Sequence, residues 1–328
     1  MARRRRIGEF ELIARYFAPL ARGFPGAGGL QSDNAFLAAD GRHDTAVKTD
    51  TIVSGVHFLE DEKPERVAVK ALRVCLSDLA AGGAVPLAYQ LSLALPRDWR
   101  EPWVAGFARG LAADQRRYAV VLCGGDTVVT PGPLTITITA FGQVPRGRGL
   151  LRSGARAGDE LWASGTIGDG ALGLLVARGG LKELSAQDRK ALEVRYRLPQ
   201  PRTELGRRLI GIARAAADVS DGLLADVGHI AAASKLAVQV ERGQVPLSRA
   251  ARRVLAIEPA RWVDVLGGGD DYELVVAVSP RRSRELLDAA RQARIKVVRI
   301  GRFAEGEGVH LTVEGRKAPA FRAGYTHF

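Results

Sequence analysis

Cysteine is scarce in this chain, at two residues in 328, and methionine is scarcer, with one. Two thiols, Cys75 and Cys123, cannot build a disulfide framework, and each lies in an apolar run where a small buried hydrophobe is the expected role. Five histidines, scattered among so few cysteines, leave no cluster for a soft metal such as zinc. No apolar run approaches the roughly 18 residues that a membrane helix needs. The start, MARRRRIGEF, carries a basic patch but no apolar core or small-residue cleavage site after it. It reads as a short disordered arm leading into a helix, not as an export signal, and the cytoplasm is the expected location. The common nucleotide signatures are also missing. There is no GxxxxGK[ST], no GxGxxG opening a helix after the first strand, and no HRD or DFG, which excludes a P-loop enzyme and a protein kinase.

What is present suits a globular enzyme. The chain is 46% hydrophobic and 26% charged, enough for two medium cores at this length. Its 38 glycines gather in turns such as GAGG, GGD and GGGDD. Sites where backbone closes around phosphate have this texture, since only glycine lets the main chain approach so near. The formal net charge is +12. Arg3 to Arg6 would suit a nucleic-acid phosphate contact, but most other arginines stand on expected helix faces with no aromatic-rich recognition motif beside them. An arginine-heavy surface that draws in anionic nucleotides is the preferred reading, with no nucleic-acid partner.

Periodicity divides the chain into two αβ series. A helix is expected from about Glu9 to Ala21, with Phe10, Ile13, Phe17 and Leu20 as its apolar stripe. Strand Asp44–Val53 follows, then a helix over Pro64–Ala84 that opens on proline and closes on glycines. Strand Leu87–Pro96, helix Glu101–Arg117 and a buried strand in YAVVLCGGDT come next. LTITITAFGQV alternates strictly, as a half-buried strand does. The texture changes at Pro145 to Gly158, the expected domain junction. Beyond it, strand Glu160–Ser164, helices near Ala171, Thr203 and Gly222, and strands near Ala237, Tyr272, Val297 and Val309 complete a fold of α/β or α+β class.

The carboxylates sit where secondary structure alone does not call for them. Asp50 interrupts a strand of threonine and valine, and Asp78 comes late in an apolar helix. Asp126 follows two glycines, and Asp218 and Asp221 flank Ser220 ahead of the helix GLLADVGHI. Taken singly, each is a turn or cap residue, and Asp221 reads as an N-cap. Taken together, they lie at strand and helix ends, the places that build ligand crevices in open sheets. Oxygen-only ligands favour a hard cation such as magnesium, which takes one or two carboxylates alongside substrate phosphates. Phosphoryl transfer needs metals, positioning and positive charge, with no covalent nucleophile.

With these residues in hand, the chain resembles the thiamine-monophosphate kinase family, in the superfamily of aminoimidazole-ribonucleotide synthetase and selenophosphate synthetase. The matching stretches, in the family's order, are GEFELIARYF, TDTIVSGVHF, VKALRVCLSDLAAGGAVP, GGDT, LLRSGARAGD, DVSDGLLADVGHI, GGGDDYEL and the terminal GYTHF. The resemblance implies an N-terminal α/β domain, residues 1–147, that pairs with its twin in a homodimer, and a C-terminal α+β domain, residues 148–328. It implies ATP-dependent phosphorylation of thiamine monophosphate, with several magnesium ions and ATP as co-substrate. Asp33, Thr49, Asp50, Asp78, Asp126, Asp218 and Asp221 would hold the ions. Gly125, Asp126, Arg152 and Ser220 would contact ATP, with Arg152 offsetting charge in the transition state. His57 and Asp270 would meet the substrate, together with Phe321 or Tyr325. Two alternatives stand beside it. GVHF and GYTHF argue against another substrate within the superfamily, and the retained aspartates argue against a basic nucleic-acid binder on a degenerate scaffold.

Two positions depart from the family pattern. The usual GIGDDAA reads GLQSDNAF, so Ser32 replaces the first aspartate of a pair and Asp33 is the second. The residue before Thr49, usually a serine or threonine that helps to hold a metal, is Lys48. A charged lysine cannot ligate magnesium, but its ammonium can stand in for a cation beside phosphates.

Overall fold

The computed structural model describes residues 31–32, 35–38, 41–318 and 324. The expected helix from Glu9 to Ala21, the arm Arg3–Arg6 and the site candidates Asp33, Phe321 and Tyr325 lie outside the described residues. Two mixed sheets organise the rest. The first contains β1 (Ala35–Ala38), β2 (His43–Val53), β3 (Val85–Pro96), β4 (Val121–Thr130) and β5 (Thr135–Pro145) in the order β1-β2-β5-β3-β4. Only β3 and β4 run parallel in it.

One face of this sheet is covered by two helices, α1 (Pro64–Ala81) and α2 (Glu101–Tyr118). Every residue of α1 from Val67 to Ala81 is buried, so the helix is enclosed on all sides. Its apolar positions Leu72, Leu76 and Leu79 pack with Ile52, Leu93, Ile136 and Ile138 of the strands. Each such leucine stabilises the fold by about 1.5–3 kcal/mol relative to exposure. Gly110 lets α2 lie flush on α1, since a Cβ there would stand 2.4 Å from the Glu65 carbonyl oxygen.

The second sheet holds β6 (Glu160–Ser164), β7 (Ala213–Asp218), β8 (Ala237–Glu241), β9 (Leu274–Val278), β10 (Val297–Ala304), β11 (Gly308–Val313) and β12 (Arg316–Lys317). Its order is β12-β11-β8-β10-β6-β9-β7. Helix α3 (Leu223–Ser234) buries Leu223, Leu224, Val227 and Ile230 against one face of it. The other face packs against the end of α1, through Ala80 and Ala81, and against a helix over Ser283–Ala293. Thus α1 belongs to both layers, and residues on its last turns stand between the sheets. Among the described residues, no helix is long and apolar enough to cross a membrane.

The alternation expected of LTITITAFGQV is present in β5, which is buried at every second position. The strand expected in YAVVLCGGDT exists as β4, but it is not buried. Among the described residues it is the edge strand, with nothing hydrogen-bonded beyond it, and Val121, Leu122, Val128 and Val129 are exposed. Cys123 is exposed with it, against the buried role expected, while Cys75 is fully buried as expected. An apolar run signals that a strand is covered, and among the described residues no element covers this one.

Candidate active site

Strand alternation in β2 sorts its residues onto two faces. Ala46 and Ile52 point into the core, and Lys48 and Asp50 lie between them on the same face. Asp78 of α1 meets them there. Lys48 Nζ lies 3.2 Å from Asp50 Oδ1 and 3.1 Å from Asp78 Oδ1. The second Asp50 oxygen, Oδ2, is buried with no hydrogen-bond partner among the described residues. Three residues before Asp78, the Cys75 thiol donates to the Ile138 carbonyl at 3.3 Å. Burial first, then Asp50 and Asp78, push that thiol well above its usual range. It stays protonated, so the donors around Lys48 are carboxylate oxygens.

The second sheet contributes two loops. At the end of β7, Asp218 is almost fully buried, and the chain turns through Ser220, Asp221 and Gly222 into α3. Asp226, in the first turn of α3, turns its carboxylate back on this loop. Its Oδ2 accepts N–H bonds from Ser220 at 3.1 Å, Asp221 at 3.2 Å and Gly222 at 3.1 Å. Asp221, Asp226 and His229 bring one ligand atom each within 4.8 Å of one another. Asp226 and His229 were not among the residues expected from the sequence. Their signal is the spacing from Asp221, which returns positions 226 and 229 of the helix to the loop.

The second loop is GGGDDYEL. Gly269 and Asp270 lie against Ser220, whose carbonyl accepts the Asp270 N–H at 2.8 Å. A Cβ on Gly269 would stand 2.1 Å from that carbonyl oxygen. Asp270 and Tyr272 both hold positive φ, 63° and 53°, a costly conformation for a tyrosine. Side-chain bonds hold it. Asp270 accepts from Lys70 Nζ of α1 at 2.9 Å and from the Tyr272 hydroxyl at 2.9 Å. Lys70 is buried and lies 4.0 Å over the ring of Tyr196. Burial, and then Asp270, Asp218 and Asp50, drive the Tyr272 hydroxyl well above its usual range. Carboxylates from β2, the β7 end and the glycine loop therefore act on one phenol.

Behind this loop the remaining acids are structural. Asp271 accepts N–H bonds from Gly168 at 2.6 Å and Gly170 at 2.9 Å. Burial pushes its carboxyl up to about 8, against those two bonds. Burial also works on Glu273, but the guanidiniums of Arg202 and Arg195 outweigh it and hold the carboxyl below its usual value. Ser164 completes that network with a 2.6 Å bond.

Asp50, Asp78, Asp218 and Asp270, with Lys48, Lys70 and Tyr272, are thus gathered where α1, β2 and the two loops meet. Ser220 and Asp221 stand at the edge of that crevice. Arg152 lies beside β7, because the Leu151 carbonyl accepts the Ala216 N–H at 3.0 Å. His57 closes the turn after β2, its Nδ1 accepting from the Val53 N–H at 3.0 Å.

Two residues of the expected set are placed apart. Thr49 faces the opposite side of the first sheet, where its hydroxyl meets that of Thr139 at 2.8 Å. The strand register puts Asp126 on that side too, in one row with Ser92, Thr137 and Thr51. Asp126 lines a cavity of about 280 Å³ with Gln90, Ser92, Thr137 and Thr139. Gly125 precedes it flush against β3, where a Cβ would stand 1.9 Å from the Leu91 carbonyl oxygen. The sheet itself separates these side chains from Asp50 and Asp78.

Known proteins resemble this chain along nearly its whole length. Residues 31–144 match the AIR synthase related protein, N-terminal domain, and residues 156–314 match its C-terminal domain. The thiamine-monophosphate kinase of Caulobacter vibrioides is 44% identical over 322 residues, covering 97% of this chain and 90% of that protein. The solved thiamine-monophosphate kinase of Stenotrophomonas maltophilia is 41% identical, with a TM-score of 0.78 over 94% of this chain and 98% of that one. A structure described as AaThiL complexed with AMPPCP and TMP superimposes with a TM-score of 0.85 at 29% identity, covering 100% of this chain and 99% of the other.

Proposed function

Because the chain belongs to the thiamine-monophosphate kinase family, we propose that it transfers the γ-phosphoryl group of ATP to thiamine monophosphate, giving thiamine diphosphate and ADP. A phosphate oxygen of thiamine monophosphate forms the new bond to the γ-phosphorus as the bond to the β-phosphate bridging oxygen breaks. No side chain has to carry a covalent intermediate, and the chemistry rests on positioning and on charge. The observation that carries the reading is the crevice, where four aspartates from four separate elements converge beside two lysines.

Two phosphorylated substrates cannot approach four carboxylates unless cations intervene. Magnesium suits the donors, which are carboxylate oxygens, one of them a buried Asp50 oxygen with no hydrogen-bond partner among the described residues. Asp50, Asp78, Asp218 and Asp221 would hold such ions, which supply charge neutralisation between the phosphates when bound. Asp33 would join them. Ser220 and Arg152 would address ATP, and His57 and Asp270 the thiamine phosphate, with Phe321 or Tyr325 against its ring. Asp126 and Thr49 lie on the other side of the sheet and would act only from there, and Gly125, beside Asp126, would meet ATP through its backbone.

A homodimer fits the first sheet. An edge strand that no described residue pairs with, carrying three exposed valines and one exposed leucine, is a surface that a second copy would cover.

The reading is tested by a coupled assay for ADP release, with and without thiamine monophosphate and with and without magnesium. Release should require both, and thiamine diphosphate should form in equal amount. Release with aminoimidazole-type or selenide substrates instead would favour another member of the superfamily.

A further inference from the structure

Lys48 occupies an unusual place for a lysine, between two acids of the crevice. Residues 48 and 50 share a strand face, and α1 lifts Asp78 towards both. The ammonium stands 3.2 Å from one carboxylate and 3.1 Å from the other, on a side chain only 21% exposed. A magnesium ion held by both carboxylates, which needs Mg–O contacts of about 2.0–2.1 Å, would compete with the ammonium for the space between them. Two cations cannot share that space, and the lysine cannot drift away at low cost, since two carboxylates this close repel one another without it.

We infer that Lys48 is a resident cation of the crevice, taking the place of one divalent ion between Asp50 and Asp78. The inference rests on the reading of the crevice as a site for metal-bound nucleotide. An ammonium differs from a divalent ion in three respects that matter here. It is tethered, so it is present at any magnesium concentration. It carries one charge, so the Asp50–Asp78 pair keeps a net charge of −1 in place of neutrality. It interacts through N–H donors and charge alone, with no vacant coordination position for a phosphate oxygen. Lys48 therefore anchors the carboxylates and offsets part of their field, while Asp218, Asp221 and the remaining oxygens of Asp50 and Asp78 would hold the ions that contact phosphate.

The test counts ions. Bound Mn²⁺ is measured by electron paramagnetic resonance at saturating non-hydrolysable ATP analogue, for the full-length protein and for Lys48→Ser, Lys48→Ala and Lys48→Arg. Lys48→Ser and Lys48→Ala should each bind one more Mn²⁺ per chain than wild type, and Lys48→Arg should match wild type. Should the serine variant not fold, Lys48→Ala gives the same reading, because it too vacates the space between the carboxylates. Equal counts, above zero, in wild type and both neutral variants would overturn the role of Lys48 and leave the metal reading standing. No bound Mn²⁺ in any of the proteins would overturn both.

Discussion

The Asp226 carboxylate holds Ser220 by its backbone, accepting the N–H at 3.1 Å, and the same oxygen takes the next two N–H groups of the loop. A single charged acceptor thereby fixes three consecutive peptide units between β7 and α3. The Ser220 carbonyl is fixed from the other side by the Asp270 N–H. The loop that carries Ser220 and Asp221 is set before any ligand arrives, so binding costs little ordering there.

Asp226→Asn keeps the shape of this clamp and removes its charge. Hydrogen bonds to a charged group are worth about 1.5–3 kcal/mol, and stability should fall by about that much. A purely structural role would end there. If the clamp positions Ser220 for ATP, KM for ATP should also rise about tenfold, while kcat falls less. Thermal melts and steady-state kinetics on one preparation decide it. A lowered melting temperature with an unchanged KM would reduce Asp226 to a structural residue.

Asp271 gives the fold a pH dependence of unusual sign. Burial lifts its folded-state carboxyl to about 8, far above the usual value near 3.8. The folded protein therefore holds a proton that the unfolded chain releases. The stabilisation is fully present below about pH 4 and is lost as pH rises towards 8, at up to about 1.4 kcal/mol per pH unit for one such group. Asp271→Asn removes the titrating group but also one acceptor, since an amide nitrogen cannot take the N–H of Gly168 or Gly170. It should melt below wild type near pH 5, and the gap should narrow steadily as pH rises towards 9. Parallel curves for the two proteins would show that the carboxyl ionises normally, with Gly168 and Gly170 stabilising its charge.

The sequence and the structure agree most closely where one kind of periodicity dominates. Strand Glu160–Ser164 begins and ends where expected, and α1 and α2 differ from their expected spans by a few terminal residues. Strand β7 is not legible in the sequence, because ARAAAD is mostly alanine, which carries no strand signal. Alanine is there for space, since Ala213 and Ala216 pack in one layer with Ala80 and Ala81 of α1. The polar helix over Ala186–Arg197 has too weak an apolar stripe to announce itself, yet it supplies Tyr196 beneath Lys70 and Arg195 to Glu273. The candidate aspartates could be listed from their odd positions. Their division between two faces of a sheet could not, because that depends on which strands pair and in what register.

That division yields the sharpest test of how the site is assembled. Asp126 stands in one row with Thr137 and Thr51, on the face turned away from Asp50 and Asp78, and its strand is the exposed edge. Asp50→Asn removes a carboxylate of the crevice itself and should lower kcat/KM on the order of a hundredfold with the fold intact. Asp126→Asn should do the same only if the face it lines is brought to a second crevice by dimerisation. In that case the two defects belong to different chains of each site. Unfolding the two variants together and refolding them should then form mixed dimers, half of all dimers if pairing is random. Each mixed dimer would hold one site with both aspartates intact, restoring about a quarter of wild-type activity from two inactive parents. The mixture is assayed against each parent refolded alone. Recovery near a quarter assigns Asp126 to the partner's site. No recovery from two inactive variants would place both aspartates in the same chain's site, and full activity in Asp126→Asn alone would remove it from the catalytic machinery.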